Sequence, residues 1–292
     1  MDELLQATFN GIAVGSIYAI AGVGLTLVYG ILKLTNFAHG EFLTLGAYIA
    51  FTVMATWGGP LVLGIAAAAL VVGVFGVITE QAIWRPLRRK RAGSLQLLLM
   101  SIGLSFVLRY LIQLFYSPEF RRLPVDIFSV HELGPIRAST IDLIVIGIAV
   151  GVIIVIALLL SRTLLGKSMR AISDNFDLAA VSGVDTRRTI LVTWALGGAL
   201  AGIGGVLAGM QLGIKPDMGF NLLLGIFAAV ILGGMGNAYG ALLGGYIIGI
   251  MQEVAVVGGL ESRDKPAVGF AVLILVLLFR PQGILGRRAA VN

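Results

Sequence analysis

Leu61-Val-Leu-Gly-Ile-Ala-Ala-Ala-Ala-Leu-Val-Val-Gly-Val-Phe-Gly-Val-Ile78 runs for 18 residues without a charged, amide or hydroxyl side chain. A helix rises about 1.5 Å per residue, so roughly 20 such residues cross the hydrocarbon core of a bilayer. Ile141 to Leu160 repeats the pattern with one charge, Asp142. Over all 292 residues, 58% are hydrophobic and 12% charged, too little polar surface to cover a soluble core of this size. A soluble bundle would have to hide every face of many helices at once. The predicted fold is therefore all-α, a polytopic transmembrane bundle of about 8–10 spans. They fall near 8–30, 40–57, 60–83, 95–116, 141–161, 188–209, 221–235, 237–258 and 266–280. The seventh and ninth are short enough to be half-helices or re-entrant segments.

Cysteine is absent and there are two histidines, which excludes disulfides and thiolate metal sites and leaves little for a metal cluster. No cofactor is expected. Met1-Asp2-Glu3 lacks the basic stretch of a cleaved leader, so the first apolar segment should stay as an anchor.

The net charge is +6 and unevenly placed. Lys33, five cations in Arg85–Arg91, five more (Arg162, Lys167, Arg170, Arg187, Arg188) and Arg280, Arg287 and Arg288 share one side of the predicted topology. Arg121, Arg122, Arg137, Lys215, Arg263 and Lys265 share the other, and Arg109 lies within a span. Excess Lys and Arg mark the cytoplasmic face. The N-terminus is thus expected outside, in the periplasm, and the C-terminus in the cytoplasm, in a bacterial inner membrane. Without clustered cations interleaved with aromatics, a nucleic-acid partner is not expected. Membrane lipid is.

Forty glycines are about double ordinary usage. Many recur at four: Gly11/Gly15, Gly147/Gly151, Gly198/Gly202, Gly205/Gly209, Gly236/Gly240/Gly244 and Gly245/Gly249. Small residues at that spacing let helices approach closely in lipid.

Gly166-Lys167-Ser168 looks like the end of a phosphate-binding loop, but the glycine required five residues earlier is Ser161. No catalytic set is apparent. The surrounding cytoplasmic connection, about 163–187, has helical logic instead. Met169, Ile172, Phe176 and Ala179 or Ala180 form an apolar stripe, while Ala171, Asn175, Ala179 and Gly183 form a row of small or amide side chains. By spacing alone, such a helix suits docking into a partner's groove or lying on lipid equally well.

The pattern Arg170-Ala171-x₃-Asn175-x₃-Ala179-x₃-Gly183-Val184 resembles the coupling segment of the branched-chain amino-acid ABC importer permeases, the LivH family. Leu34-Thr-Asn-Phe-Ala-His-Gly-Glu-Phe42, Leu45-Gly-Ala-Tyr48, Leu232-Gly-Gly-Met-Gly-Asn237 and Phe279-Arg-Pro-Gln-Gly283 resemble its other signatures, over about residues 8–288. The resemblance implies a single permease domain over 1–292 and two cytoplasmic ATP-binding subunits, with Arg170, Ala171, Asn175, Ala179 and Gly183 in the surface through which ATPase motion reaches this bundle. It also implies a paralogous permease subunit and a periplasmic substrate-binding protein.

Asn36, His39 and Glu41 are the candidates for the transport pathway, because Gly40-Glu41-Phe42 leads straight into an apolar span, where a carboxylate is expensive without a partner or a task. His39 and Glu41 are placed to pair or to orient helix ends; a solvated turn or structural bracing are the plainer accounts. Arg109 should snorkel or pair, and Glu80 and Glu253 should anchor span ends at the interface. The connection Tyr116 to Thr140, stiffened by Pro118, Pro124 and Pro135, is the candidate contact for a binding protein. The expected function is uptake of branched-chain or related small neutral amino acids by alternating access, the chain itself not being an enzyme. The alternative is an ion-coupled carrier or channel acting without ATPases, for which Glu41 and Glu80 are the plausible carboxylates.

Overall fold

A computed structural model of the chain describes residues 2–125 and 129–286. Arg287 and Arg288 therefore lie outside the described residues. Lipid offers no partner to a free N–H or C=O, so the apolar stretches close their own hydrogen bonds as helices. These are α1 (Asp2–Leu32), α2 (His39–Phe51) with a π-helical turn Thr52–Thr56, and α3 (Leu61–Thr79), which continues through a π-helical turn Glu80–Trp84 into α4 (Arg85–Arg89). Then follow α5 (Ser94–Tyr116), the strands β1 (Val130–Leu133) and β2 (Ile136–Ser139), α6 (Thr140–Arg162), α7 (Leu164–Asp174) and α8 (Phe176–Val181). The chain finishes with α9 (Thr186–Leu212), α10 (Met218–Gly233), α11 (Ala238–Val257) and α12 (Lys265–Phe279).

Each of the nine expected spans falls on a helix. Six helices among the described residues are long and apolar enough to cross a membrane by themselves: α1, α3 through α4, α5, α6, α9 and α11. The remaining three are short, as the sequence warns for α10 and α12; α2 joins them because it starts inside the bundle. The Tyr116–Thr140 connection contains an antiparallel hairpin pairing Val130 with Ser139 and Leu133 with Ile136. Gln6 of α1 holds it by two bonds to the Arg137 backbone, of 2.8 and 3.0 Å.

α1 is apolar on every face and almost wholly buried, as such a helix must be. α11 runs antiparallel along it: a Cβ on Gly11 would meet the Ile250 backbone, one on Gly15 the Tyr246 backbone, and one on Gly245 that of Ala19. α3 meets α9 likewise through Gly73, Gly76, Gly198 and Gly202. Gly147 and Gly151 correct the expectation, since a Cβ at either meets nothing within 4 Å. On α6 the fourfold spacing faces outward and packs against no other helix. A test follows. Gly249→Ala puts a methyl 2.5 Å from the Gly15 Cα and should cost about 1–3 kcal/mol of stability in detergent unfolding. Gly151→Ala should cost nothing measurable.

Hydrogen bonds sort the connections onto two ends. At one, Ser173 donates to the Gly30 carbonyl (2.8 Å) and Asn237 to the Leu285 carbonyl (2.9 Å), gathering the Lys33, 162–188 and C-terminal segments. At the other, Thr52 meets Tyr116 at 2.7 Å, Arg121 pairs its backbone with Ile214, and Lys265 meets Glu253 at 2.6 Å.

Candidate functional site

The connection from α1 to α2 is not a solvated turn. Lys33 ends α1 in a left-handed conformation, and the next residues run back into the bundle with Leu34 and Asn36 buried. Buried backbone needs partners, and α5 supplies them. Ser101 Oγ accepts from the Phe37 N–H at 3.2 Å and lies 3.3 Å from the Thr35 carbonyl. Asn36 Oδ1 accepts from the Ala38 N–H at 3.1 Å, folding the turn that launches α2.

His39 then sits with Nε2 2.9 Å from the Ala21 carbonyl. A carbonyl only accepts, so Nε2 carries the proton. Ala21 is eleven residues, or about 16 Å, short of the end of α1, so α2 begins deep inside the bundle. Glu41 follows in its first turn, fully buried, where the helix N-terminus favours a carboxylate. Its Oε1 accepts from Arg109 Nη2 at 2.7 Å, Arg109 Nε at 3.1 Å and Ser105 Oγ at 3.1 Å. Arg109 in turn lies 4.3 Å from the Phe220 ring centroid on α10 and 5.5 Å from that of Phe106. α2, α5 and α10 thus meet at one buried ion pair.

His39 and Glu41 do not pair. Two residues apart, they leave a helix on opposite sides, and each finds a different neighbour, α1 and α5. Glu80 also departs from expectation: it is buried beneath Arg88, with which it forms an ion pair, rather than lying at the interface. Spacing alone names neither guanidinium. The available signal is that a carboxylate and a cation isolated in apolar spans must compensate each other.

The second cluster is the connection from α6 to α9. Met169 and Ile172 are buried and seat α7 on the bundle, Ala171 packing partly against the core. The expected continuous helix is broken at Asn175, which is extended (φ −155°, ψ 108°). Its Oδ1 accepts from the Leu178 N–H at 2.9 Å and caps α8, so amide capping outcompetes helix continuation. Consequently Ala171, Asn175, Ala179 and Gly183 do not form one row. Ala179 turns inward, and Gly183 (φ +85°) closes α8. Arg170 donates to the Leu160 carbonyl at the end of α6 and braces the α6–α7 corner. α8 leaves exposed Phe176, Leu178 (61% exposed) and Val181 (83%), with Asp177 among them. Gly166, Lys167 and Ser168 lie within α7, a helix and not a phosphate loop.

Asn175→Ala should cost about 1 kcal/mol through loss of the cap, while Asn175→Asp keeps it. Faster hydrogen exchange at the Leu178 amide in the alanine variant alone checks this.

A bundle of apolar helices with a buried ion pair at its heart and a small amphipathic unit at its cation-rich end defines a polytopic membrane permease. Residues 7–279 match the family described as branched-chain amino acid transport system / permease component. The chain is 36% identical to the high-affinity branched-chain amino acid transport system permease protein BraD of Pseudomonas aeruginosa, over 97% of this chain and 96% of that one. With LivH of Escherichia coli it shares 33%, again over 97% and 96%. Among solved structures it resembles PsaBC from Streptococcus pneumoniae in complex with Fab, at a TM-score of 0.53 and 14% identity over 97% and 93%, a likeness of fold alone. The chain belongs to the branched-chain amino acid permease family.

Proposed function

We propose that the chain serves an importer driven by ATP hydrolysis on separate subunits, and moves branched-chain or related small neutral amino acids by alternating access. The observation that carries this reading is α8: a six-residue helix held at the end of the bundle by Asn175 and Gly183, which turns Leu178 and Val181 away from the chain beside the carboxylate of Asp177. Exposed anchors of this kind, on a rigid mount, suit a groove in a partner. One of two cytoplasmic ATP-binding subunits would seat there and the other on a paralogous permease, the motion of the first reaching this bundle through Arg170 and the α6–α7 corner. Asn175 and Gly183 set the shape of α8, and Ala171 and Ala179 fix it to the bundle.

The substrate class is carried over from relatives whose names specify branched-chain amino acids. A paralogous permease would complete the pathway, and a periplasmic binding protein would deliver substrate at the end bearing the β1–β2 hairpin. On this reading residues 1–292 form one domain with 163–187 as its coupling segment. It sits in a bacterial inner membrane, N-terminus periplasmic and C-terminus cytoplasmic, as the gathering of cations at the α8 end supports. Asn36, His39 and Glu41 brace the start of α2 beside the pathway. An ion-coupled carrier is less well supported, because Glu41 and Glu80 each hold a guanidinium.

Affinity purification in mild detergent should return two ATPases and a sister permease, and cells lacking the chain should lose uptake of labelled leucine. Transport by the chain alone in liposomes under an ion gradient would overturn the reading.

A further inference from the structure

We propose that the cleft between the Glu80–Arg89 turn and the α8–α9 junction binds the phosphate headgroup of an anionic phospholipid. The cleft has a volume of about 340 Å³. Arg85, Arg88 and Arg89 line one wall and Arg187 the other, brought together from segments about 100 residues apart. Glu80, the carboxylate in the cleft, is already taken by Arg88. Arg85 lies within the field of the same carboxylate, so a single acid stands against the four guanidinium groups that line the cleft. Guanidinium forks match phosphate oxygens in pairs.

Apart from Thr186, the rest of the lining is apolar. Ile190 and Leu191 of α9 and Phe176 of α8 offer a surface to the upper part of an acyl chain, which a free phosphate would not use. Depth agrees. Arg85–Arg89 end the helix that begins at Leu61, and Thr186 begins α9, so the cleft opens where two spans leave the hydrocarbon. Basic pockets between membrane helices at that level take anionic headgroups. Orienting the chain in the membrane needs cations on the correct side but does not need them to converge. Lys90 and Arg91, on the same turn, do not line the cleft. Because the cleft joins the α3–α4 arm to α8, a bound headgroup would hold the two together.

The test uses the full chain with any subunits that co-purify, stripped of lipid in detergent and followed by thermal unfolding. Phosphatidylglycerol should raise the transition temperature saturably, phosphatidylcholine of the same chain length should not, and inorganic phosphate at equal concentration should not. Arg85→Gln/Arg89→Gln/Arg187→Gln should weaken the phosphatidylglycerol response at least tenfold. Arg85→Lys/Arg89→Lys/Arg187→Lys should retain part of it, and Lys90→Gln/Arg91→Gln all of it. Equal responses to the two lipids in the wild type, or equal losses in the cleft and control variants, would overturn the proposal. So would a full response to inorganic phosphate alone. An acidic segment of an associated subunit filling the cleft would leave the complex indifferent to phosphatidylglycerol, with the same consequence. The comparison of lipids on the wild type stands even where a glutamine variant fails to fold.

Discussion

Arg109→Leu is expected to destabilise the folded chain by about 3–5 kcal/mol, enough to deplete it from the membrane. The substitution leaves Glu41, fully buried at the start of α2, with Ser105 alone as a donor. An uncompensated carboxylate in that setting must either take up a proton or disrupt the packing around it. Glu41→Gln is expected to be milder, because a neutral amide still accepts from Arg109, and the guanidinium keeps its contacts with Phe106 and Phe220. The double variant Glu41→Met/Arg109→Met removes both charges while roughly preserving volume, and should regain most of the lost stability. Thermal unfolding of the four proteins in one detergent gives the coupling energy directly. Additive single effects would mean that the two groups do not act as a pair.

Leu178→Asp and Val181→Asp should each reduce ATP-driven uptake at least tenfold while leaving expression and unfolding temperature unchanged. Both side chains are more than half exposed, so neither substitution removes packing within the chain. Burying a carboxylate in an apolar contact costs a few kcal/mol, and 1.4 kcal/mol is already tenfold in affinity. Ala171→Arg is a poorer probe, since Ala171 packs against the core and its replacement would unseat α7. Gly183→Arg forces a side chain into φ +85° and would distort α8 as well as any contact made there. Normal uptake in both aspartate variants would remove α8 from the energy path.

The spans were readable because lipid makes hydrogen-bond closure and apolar length nearly the same requirement: Leu61 to Ile78 has no alternative to a helix. The return of Leu34–Ala38 into the bundle was not readable. Its partner Ser101 is remote in sequence, and a polar stretch between two spans looks the same whether water or α5 satisfies it. Glycine spacing was equally silent about direction, so Gly147 and Gly151 looked like Gly11 and Gly15. At Asn175 two local rules conflict. Fourfold recurrence extends the helix through it, and amide capping stops the helix there; the cap prevails because α7 is already seated by Met169 and Ile172, and the chain must turn toward Asp185. Glu41 and Arg109 were each conspicuous as charges in apolar spans, yet only the parallel packing of α2 beside α5 brings them together.

The most direct measurement exploits the absence of cysteine. Val181→Cys places one thiol on the exposed face of α8, to be probed with a membrane-impermeant maleimide. The account predicts labelling in inside-out vesicles stripped of ATPase subunits, protection when those subunits are restored, and none from the outer face of intact spheroplasts. Labelling from the outer face, or labelling that restored ATPases leave unchanged, would contradict it.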